Sequence, residues 1–450
     1  MSDRIEIQNQ LQEMMRAFDE GTLAEMRHNI DVLAPQDLAH LVEGSPPRLR
    51  SVMWELIGEE ERATDVLQHL GDDVRADFLQ EMELDQLVAA QEAFDTDDFA
   101  DLLQQLPDAI SRQVLDAMDA RDRERLETVL SFPEDSAGGI MDTDAITVRA
   151  RHTLELVLRY LRRHERLPPA TDSLIVVNSE DEYVGLLPLA RLLTTDPKVT
   201  VREVMDTSLE PITAQTTDRD VARRFAEEDL ISAPVVDESG KLLGRITIDD
   251  VVDVIIEDAD ESMMGAAGLE PDEDIFAPIM RSTRRRAIWL GVNLITAFMA
   301  AFVINLFEET IAKVVALAVL MPIVASMGGV AGIQTLTLVV RGAALGHVGS
   351  ANLWWIVNRE LLVGILNGLL WALLVALGAA FAFQDVTLGA IIAAAMVINM
   401  VVAACSGALV PPILQSLNID PAIAGGVVVT TITDVAGFMS FLGLATLVYA

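Results

Sequence analysis

One carboxylate dominates the chemistry this chain can do. Asp434 stands in Gly425–Met439, GGVVVTTITDVAGFM, where for ten residues on either side nearly everything is apolar, small or hydroxylated. A carboxylate at such a depth in a membrane segment is costly and marks function by default. A second informative run is Met321-Pro-Ile-Val-Ala-Ser-Met-Gly-Gly-Val-Ala-Gly-Ile-Gln334. Pro322, Gly328, Gly329 and Gly332 weaken an ordinary helix. In a membrane, irregular backbone survives where it lines a cavity, and its freed carbonyls suit a hard cation, with Gln334 beside them. Close packing of helices through small residues is the competing account. No nucleophile–base pair or phosphate loop appears, so an enzyme is not expected. The six His residues are scattered, and the one cysteine, Cys405, has no partner. That pattern argues against a soft-metal site and excludes an intrachain disulfide.

These residues need membrane-spanning elements to position them. Apolar segments run at about Ala287–Phe307, Ile311–Val340, Leu361–Phe383, Val386–Leu414 and Pro421–Tyr449. Each reaches the roughly 20 residues that cross a bilayer. Five spans put the termini on opposite sides. Arg281, Arg284, Arg285 and Arg286 precede the first span, and Arg341 and Arg359 flank the loop after the second. The positive-inside rule then places the preceding residues in the cytoplasm and the C-terminus outside, in a multi-pass protein of the plasma (inner) membrane. Glu360 falls near a span end. No basic n-region and apolar h-region opens the chain, so no cleavable signal peptide is expected.

The rest of the chain is of another kind. Of 69 acids and 32 bases, only six and three follow Ala287, leaving 63 and 29 in residues 1–286, a net of about −34. Such a field repels nucleic acid and attracts cations. A merely solvated acidic surface is the bland alternative. Residues 1–132 read as short helices, with a loose helix-pair pattern that suggests an α-solenoid. Acids crowd their polar faces at Asp95, Asp97, Asp98 and Asp101.

Residues 133–256 contain a repeat, about 137–199 and 200–256. Gly139-Ile-Met-Asp142 matches Glu203-Val-Met-Asp206, and Ser173–Leu187 matches Ala233–Ile246 around Gly185 and Gly244. Each unit reads strand, helix, strand, turn, strand, helix. This resembles a tandem pair of CBS domains, which implies an adenine nucleotide such as ATP as a ligand. Thr247-Ile-Asp-Asp250 resembles that family's ribose-contacting Thr-x-x-Asp, through Thr247 and Asp250. A helix N-cap followed by acids in the first turn is the other reading of the same four residues. Residues 249–280 then form an amphipathic connecting helix and linker, and residues 281–450 the five-span part. The fold expected is a multidomain membrane protein: an α-helical, superhelical N-domain, an α/β tandem CBS pair, a plug helix and a five-helix all-α transmembrane domain.

Read in that order, with MP…MGGxxGxQTxTLxxRG over residues 321–342 and DP…TxxD from Asp420-Pro421 to Asp434, the chain resembles the MgtE family of magnesium channels. It departs at Val330, where many members carry Asn. The resemblance implies a homodimer in a lipid bilayer with the pore on its two-fold axis. One Asp434 per chain is a poor site, and a dimer supplies two. Mg²⁺ dehydrates reluctantly, so the pair would hold it through its water shell, with Thr430 and backbone carbonyls assisting. Asp420 resembles an acid at the inner mouth, and equally an N-cap before Pro421. The resemblance further implies cytosolic Mg²⁺ sensing by Asp65, Asp97 and Asp101 of the N-domain. Asp229, the Ala226 backbone and Asp250 would contribute from the second CBS unit, and Asp253, Asp258 and Glu261 from the plug helix. One sensor acid of the family falls on Arg219. A membrane-anchored nucleotide or ion sensor, and a carrier coupled to Na⁺ or H⁺, are the alternatives. The carrier would need titratable groups within the spans besides Asp434.

Overall fold

A computed structural model describes the chain except for residues 1, 59, 81, 92–93, 164–166, 266, 270–272, 345–346, 350, 418 and 450. Two compact units emerge, residues 1–259 with 272–277, and residues 260–271 with 278–450.

Among the described residues the first unit opens with ten helices, α1 to α10, between Ser2 and Val129, most of them 7–11 residues long. Pro, Gly and acidic residues punctuate them. Pro35 and Pro47 open α3 (Pro35–Glu43) and α4 (Pro47–Ile57), where a missing N–H costs nothing. Gly58 closes α4 in the left-handed region. Asp97 and Asp98 sit in the first turn of α8 (Thr96–Gln104), where the helix dipole favours them.

Two three-stranded sheets follow among the described residues. β1 (Thr147–Arg149) pairs parallel to β2 (Ser173–Val177), which pairs antiparallel to β3 (Tyr183–Pro188). The helix between β1 and β2 is α11 (Leu154–Leu161), and α12 (Leu189–Thr194) and α13 (Val201–Val204) follow β3. β4 (Ile212–Thr213), α14 (Asp218–Glu228), β5 (Ser232–Val236) and β6 (Leu242–Thr247) repeat the pattern. The repeat is exchanged between halves. The backbone of Asp142 pairs with Arg245 on β6, and that of Asp206 with Leu186 on β3. The matched glycines permit this, because a Cβ on Gly185 or Gly244 would stand 2.5 Å from the carbonyl of Asp206 or Asp142. One core runs from the N-terminal helices into the second repeat through Met141, Phe225, Val235 and Val251, while the first repeat has its own around Leu154 and Val176. α15 (Ile248–Gly265) leaves β6 directly.

The second unit holds five helices long and apolar enough to cross a membrane, among the described residues. They are α16 (Ile279–Asn305), α18 (Ala316–Ala344), α19 (Leu353–Phe383), α20 (Val386–Ser416) and α21 (Pro421–Tyr449), with a short α17 (Glu308–Lys313) after the first. α20 is the most buried and packs against α18, α19 and α21. The Asp385 side chain caps it by accepting from Thr387 and Leu388 N–H, and Tyr449 Oη donates to the same carboxylate at 2.6 Å.

Three expectations need correction. The spans are longer than their apolar cores, so Arg281–Arg286 lie on α16 itself, Arg341 on α18, and Arg359 and Glu360 inside α19. Charge ended the hydrophobic pattern before the helix ended. The second apolar segment also begins late, because residues 308–313 form a helix of their own. Finally, Pro322 and the glycines do not break α18, which runs continuously. Pro322 frees only the Ala318 carbonyl four residues back.

Candidate functional site

Within the membrane-type unit, Asp434 is half-buried on α21, and among the described residues it makes no hydrogen bond or ion pair. The nearby hydroxyls turn away from it. Thr430 Oγ1 donates to the Gly426 and Val427 carbonyls at 2.9 and 3.1 Å, Thr431 to Val427, and Thr433 to Thr430. A structural carboxylate of this kind would have taken a hydroxyl or amide partner. Asp420 does take one. Its side chain accepts from Ala422 N–H at 2.6 Å and its carbonyl from Ala424 N–H, with Pro421 first in α21.

The glycines of α18 set the distances here. A Cβ on Gly328 would lie 2.2 Å from Asn399 Nδ2, and one on Gly332 2.4 Å from Val429. Gly329 meets only Thr430 Cγ2, at an ordinary 3.7 Å. Asn399, 1 % exposed in the middle of α20, donates to the Val324 carbonyl at 2.8 Å and leaves its own oxygen unpaired. Sequence reasoning passed over Asn399. The signal was an amide midway along an apolar 31-residue helix.

Gln334 is exposed and borders a cavity of about 220 Å³ together with Thr335, Glu360 and Asn367. Glu360 is buried there, paired with Arg359 and accepting from Thr335 Oγ1 at 3.4 Å. Thus a second carboxylate lies inside a span.

Within the first unit, acids from three places press on one another: Asp95, Asp97, Asp98 and Asp101 on or beside α8, Asp142 at the entry to the sheets, and Asp249, Asp250 and Asp253 on α15. Burial raises Asp97 well above the usual carboxylate range, and Asp250 and Asp98 add to it. Burial lifts Asp101 to about 8, Asp250 to about 7 and Asp98 to about 6. Asp95, Asp142 and Asp253 rise for the same first reason. Arg75 and Arg245 offset this in part. Asp97 is 4 % exposed, and its Oδ1 has no hydrogen-bond partner. An orphaned carboxylate oxygen among like charges suits a cation. Among the described residues no three acids or histidines converge closely enough to coordinate an ion directly.

The other expected sensing positions are dispersed. Asp65 is half-buried on α5 (Glu60–Gln68), and His69 just beyond acts on Asp253. Ala226 and Asp229 are exposed on α14, where Asp229 is the left-handed C-cap. Asp258 pairs with Arg219, Nε to Oδ1 at 2.7 Å. Glu261 lies in the second unit, beside Arg281, Arg284 and Arg285. Thr247 and Asp250 close on each other, since Thr247 N–H and Oγ1 both donate to Asp250 Oδ2, at 2.9 and 3.0 Å. A ribose would reach them only by displacing those bonds. Sequence reasoning also did not single out Asp142 or Asp249.

Three family profiles match the chain. The MgtE divalent cation transporter profile covers residues 321–444, the MgtE intracellular N domain residues 33–135, and the CBS domain residues 137–197 and 201–257. A magnesium transporter MgtE of Bacillus subtilis is 27 % identical over 95 % of this chain and 94 % of its own. One of Thermus thermophilus is 29 % identical over 96 % and 97 %. The crystal structure of the cytosolic domain of the Mg²⁺ channel MgtE in complex with ATP is 32 % identical, covers 54 % of this chain and 99 % of its own, and superposes with a TM-score of 0.48.

Proposed function

Because this chain belongs to the MgtE family, a family of membrane transporters and not enzymes, we propose that it carries Mg²⁺ across the bilayer through a pathway built around Asp434. The observation that carries the reading is the carboxylate without a polar partner, beside hydroxyls bonded elsewhere. Removing such a charge from water is repaid only by an ion. One carboxylate is a weak site for a doubly charged, hydrated ion, so two protomers would bring their Asp434 side chains together in a homodimer. Thr430 and the backbone near it would contact the ion's water. Gly328, Gly329 and Gly332 would let α18 lie against α20 and α21, with Gln334 further along the wall. Asp420 would serve α21 first as its cap.

The acids around α8 and α15 would read cytosolic Mg²⁺. Without the ion, Asp97, Asp101, Asp250 and Asp253 repel one another. With it they are bridged, and α15 is held as the plug. Asp65, Ala226, Asp229, Asp258 and Glu261 would contribute at the margins. In this reading residues 1–132 and 133–256 form the gauge, 249–280 the transmission and 281–450 the conduit. The gauge is cytoplasmic and the C-terminus outside. ATP would bind the CBS pair only in competition with the Thr247–Asp250 cap.

The test is ion flux in liposomes loaded against Mg²⁺, Co²⁺, Ca²⁺ and Na⁺ gradients, comparing the native chain with Asp434→Asn. The expected result is Mg²⁺ flux in the native chain and none in a variant that still runs as the same assembly. Normal Mg²⁺ flux in Asp434→Asn would remove Asp434 from the pathway. One observation favours a coupled carrier as a second reading, namely Glu360 buried in α19 beside Thr335. That reading expects Mg²⁺ flux to stop when Na⁺ and H⁺ gradients are collapsed, and the channel reading expects it to continue.

A further inference from the structure

The second unit contains a cavity of about 690 Å³ whose lining does not include Asp434. It lies where the end of α15 and residues 267–269 meet the first turns of α16 and the start of α21. One side is basic, with Arg281, Arg284 and Arg285. The other is apolar, with Leu269, Met280, Ile288 and Ile423. Trp289 stands between them, and among the described residues Glu261 is the one acid on the lining. Arg281, Arg285 and Glu261 also take part in other polar interactions.

The cavity is built by close approaches. Gly268 adopts φ +72°, and a Cβ there would lie 1.9 Å from Trp289 Nε1. A Cβ on Gly265 would lie 2.8 Å from Ile423. Ala267 and Leu269 N–H both donate to the Met264 carbonyl, which fixes the turn. Its depth follows from length. The 27 residues of α16 span about 40 Å, against about 30 Å of hydrocarbon, so its arginine-bearing turns stand in the headgroup layer. Met280 and Ile288 are 79 % and 69 % exposed on the same turns, which suits contact with acyl chains.

We propose that this cavity binds the headgroup of an anionic glycerophospholipid, its phosphate among Arg281, Arg284 and Arg285 and its first acyl carbons along Met280, Ile288 and Ile423. Three guanidiniums and an indole at headgroup depth match a phosphate with an apolar tail, whereas a soluble anion has no use for the apolar wall. The volume is in the range of small-ligand sites. The proposal needs only the membrane setting, not the Asp434 pathway.

The full-length protein in nanodiscs provides the test, with brominated phosphatidylglycerol or brominated phosphatidylcholine as quencher. The signal is the part of tryptophan quenching lost in Trp289→Phe. That part is expected to half-saturate at about a tenfold lower mole fraction of the anionic lipid. Arg281→Gln with Arg284→Gln should abolish the preference, and Arg281→Lys with Arg284→Lys should keep most of it. Should the Gln pair not assemble, the Lys pair together with Arg284→Gln alone gives the same comparison. Equal quenching by both lipids, or a preference unchanged in the Gln variants, overturns the proposal. Quenching by neither lipid would mean that protein covers the cavity, and relief of quenching by soluble glycerol phosphate would mean a site for free anions. Either result also overturns it.

Discussion

Residues of one type behave differently along α18, and their surroundings explain how. Gly328→Ala and Gly332→Ala each force an atom into Asn399 or Val429, and a loss of about 1–3 kcal/mol is expected from overpacking. Gly329→Ala has room and gains helix propensity, so it should be neutral or slightly stabilising. Thermal unfolding in detergent separates the three. At Asp434 the sign reverses. Asp434→Asn removes a charge that no group among the described residues compensates, so the melting temperature should hold or rise while transport is lost. Asp434 was legible from sequence because a charge in an apolar run has no innocent place. The role of each glycine was not, because a Pro and three Gly look the same whether they break a helix or let two helices touch. Only the position of Asn399 and Val429 decides that.

At the scale of elements, α8 and α15 store repulsion. Their acids bind protons more tightly folded than unfolded, with Asp98 at about 6, Asp250 at about 7 and Asp101 at about 8. Folding therefore takes up protons between about pH 4 and pH 8, and stability falls as pH rises through that window. In the absence of Mg²⁺, residues 1–259 should resist protease better at pH 6 than at pH 8, by about tenfold for each unit of effective pKa difference. Added Mg²⁺ should protect far more at pH 8, where fewer protons compete for the carboxylates. Equal protection at both pH values would disconnect these acids from the ion. Asp97→Asn should protect without Mg²⁺ and blunt the response to it, because it removes the most buried of the charges. The acidic run on α8 was visible in sequence as one face of a helix. Its partners Asp142 and Asp249 were not, because they reach it across long stretches of chain.

The order of parts along the whole chain was readable because each has its own period: short amphipathic helices, a strand-rich repeat with matched glycines, and then apolar runs. Span ends were misjudged where arginines and Glu360 continue a helix past its apolar core. If the pathway lies on a dimer axis, an equal mixture of native and Asp434→Asn chains should transport at about one quarter of the native rate rather than one half, measured by flux per protein in co-assembled liposomes. One contact bears on how far such a machine can move. Arg50, 6 % exposed at its side chain, grips Asp274 with two hydrogen bonds of 2.6 and 2.9 Å, donates to the Val42 and Glu43 carbonyls and lies over Phe276. Asp274 is five residues before the first residue of α16. The bond is a mooring, and residues 274–276 stay tied to α4 unless Asp274 lets go.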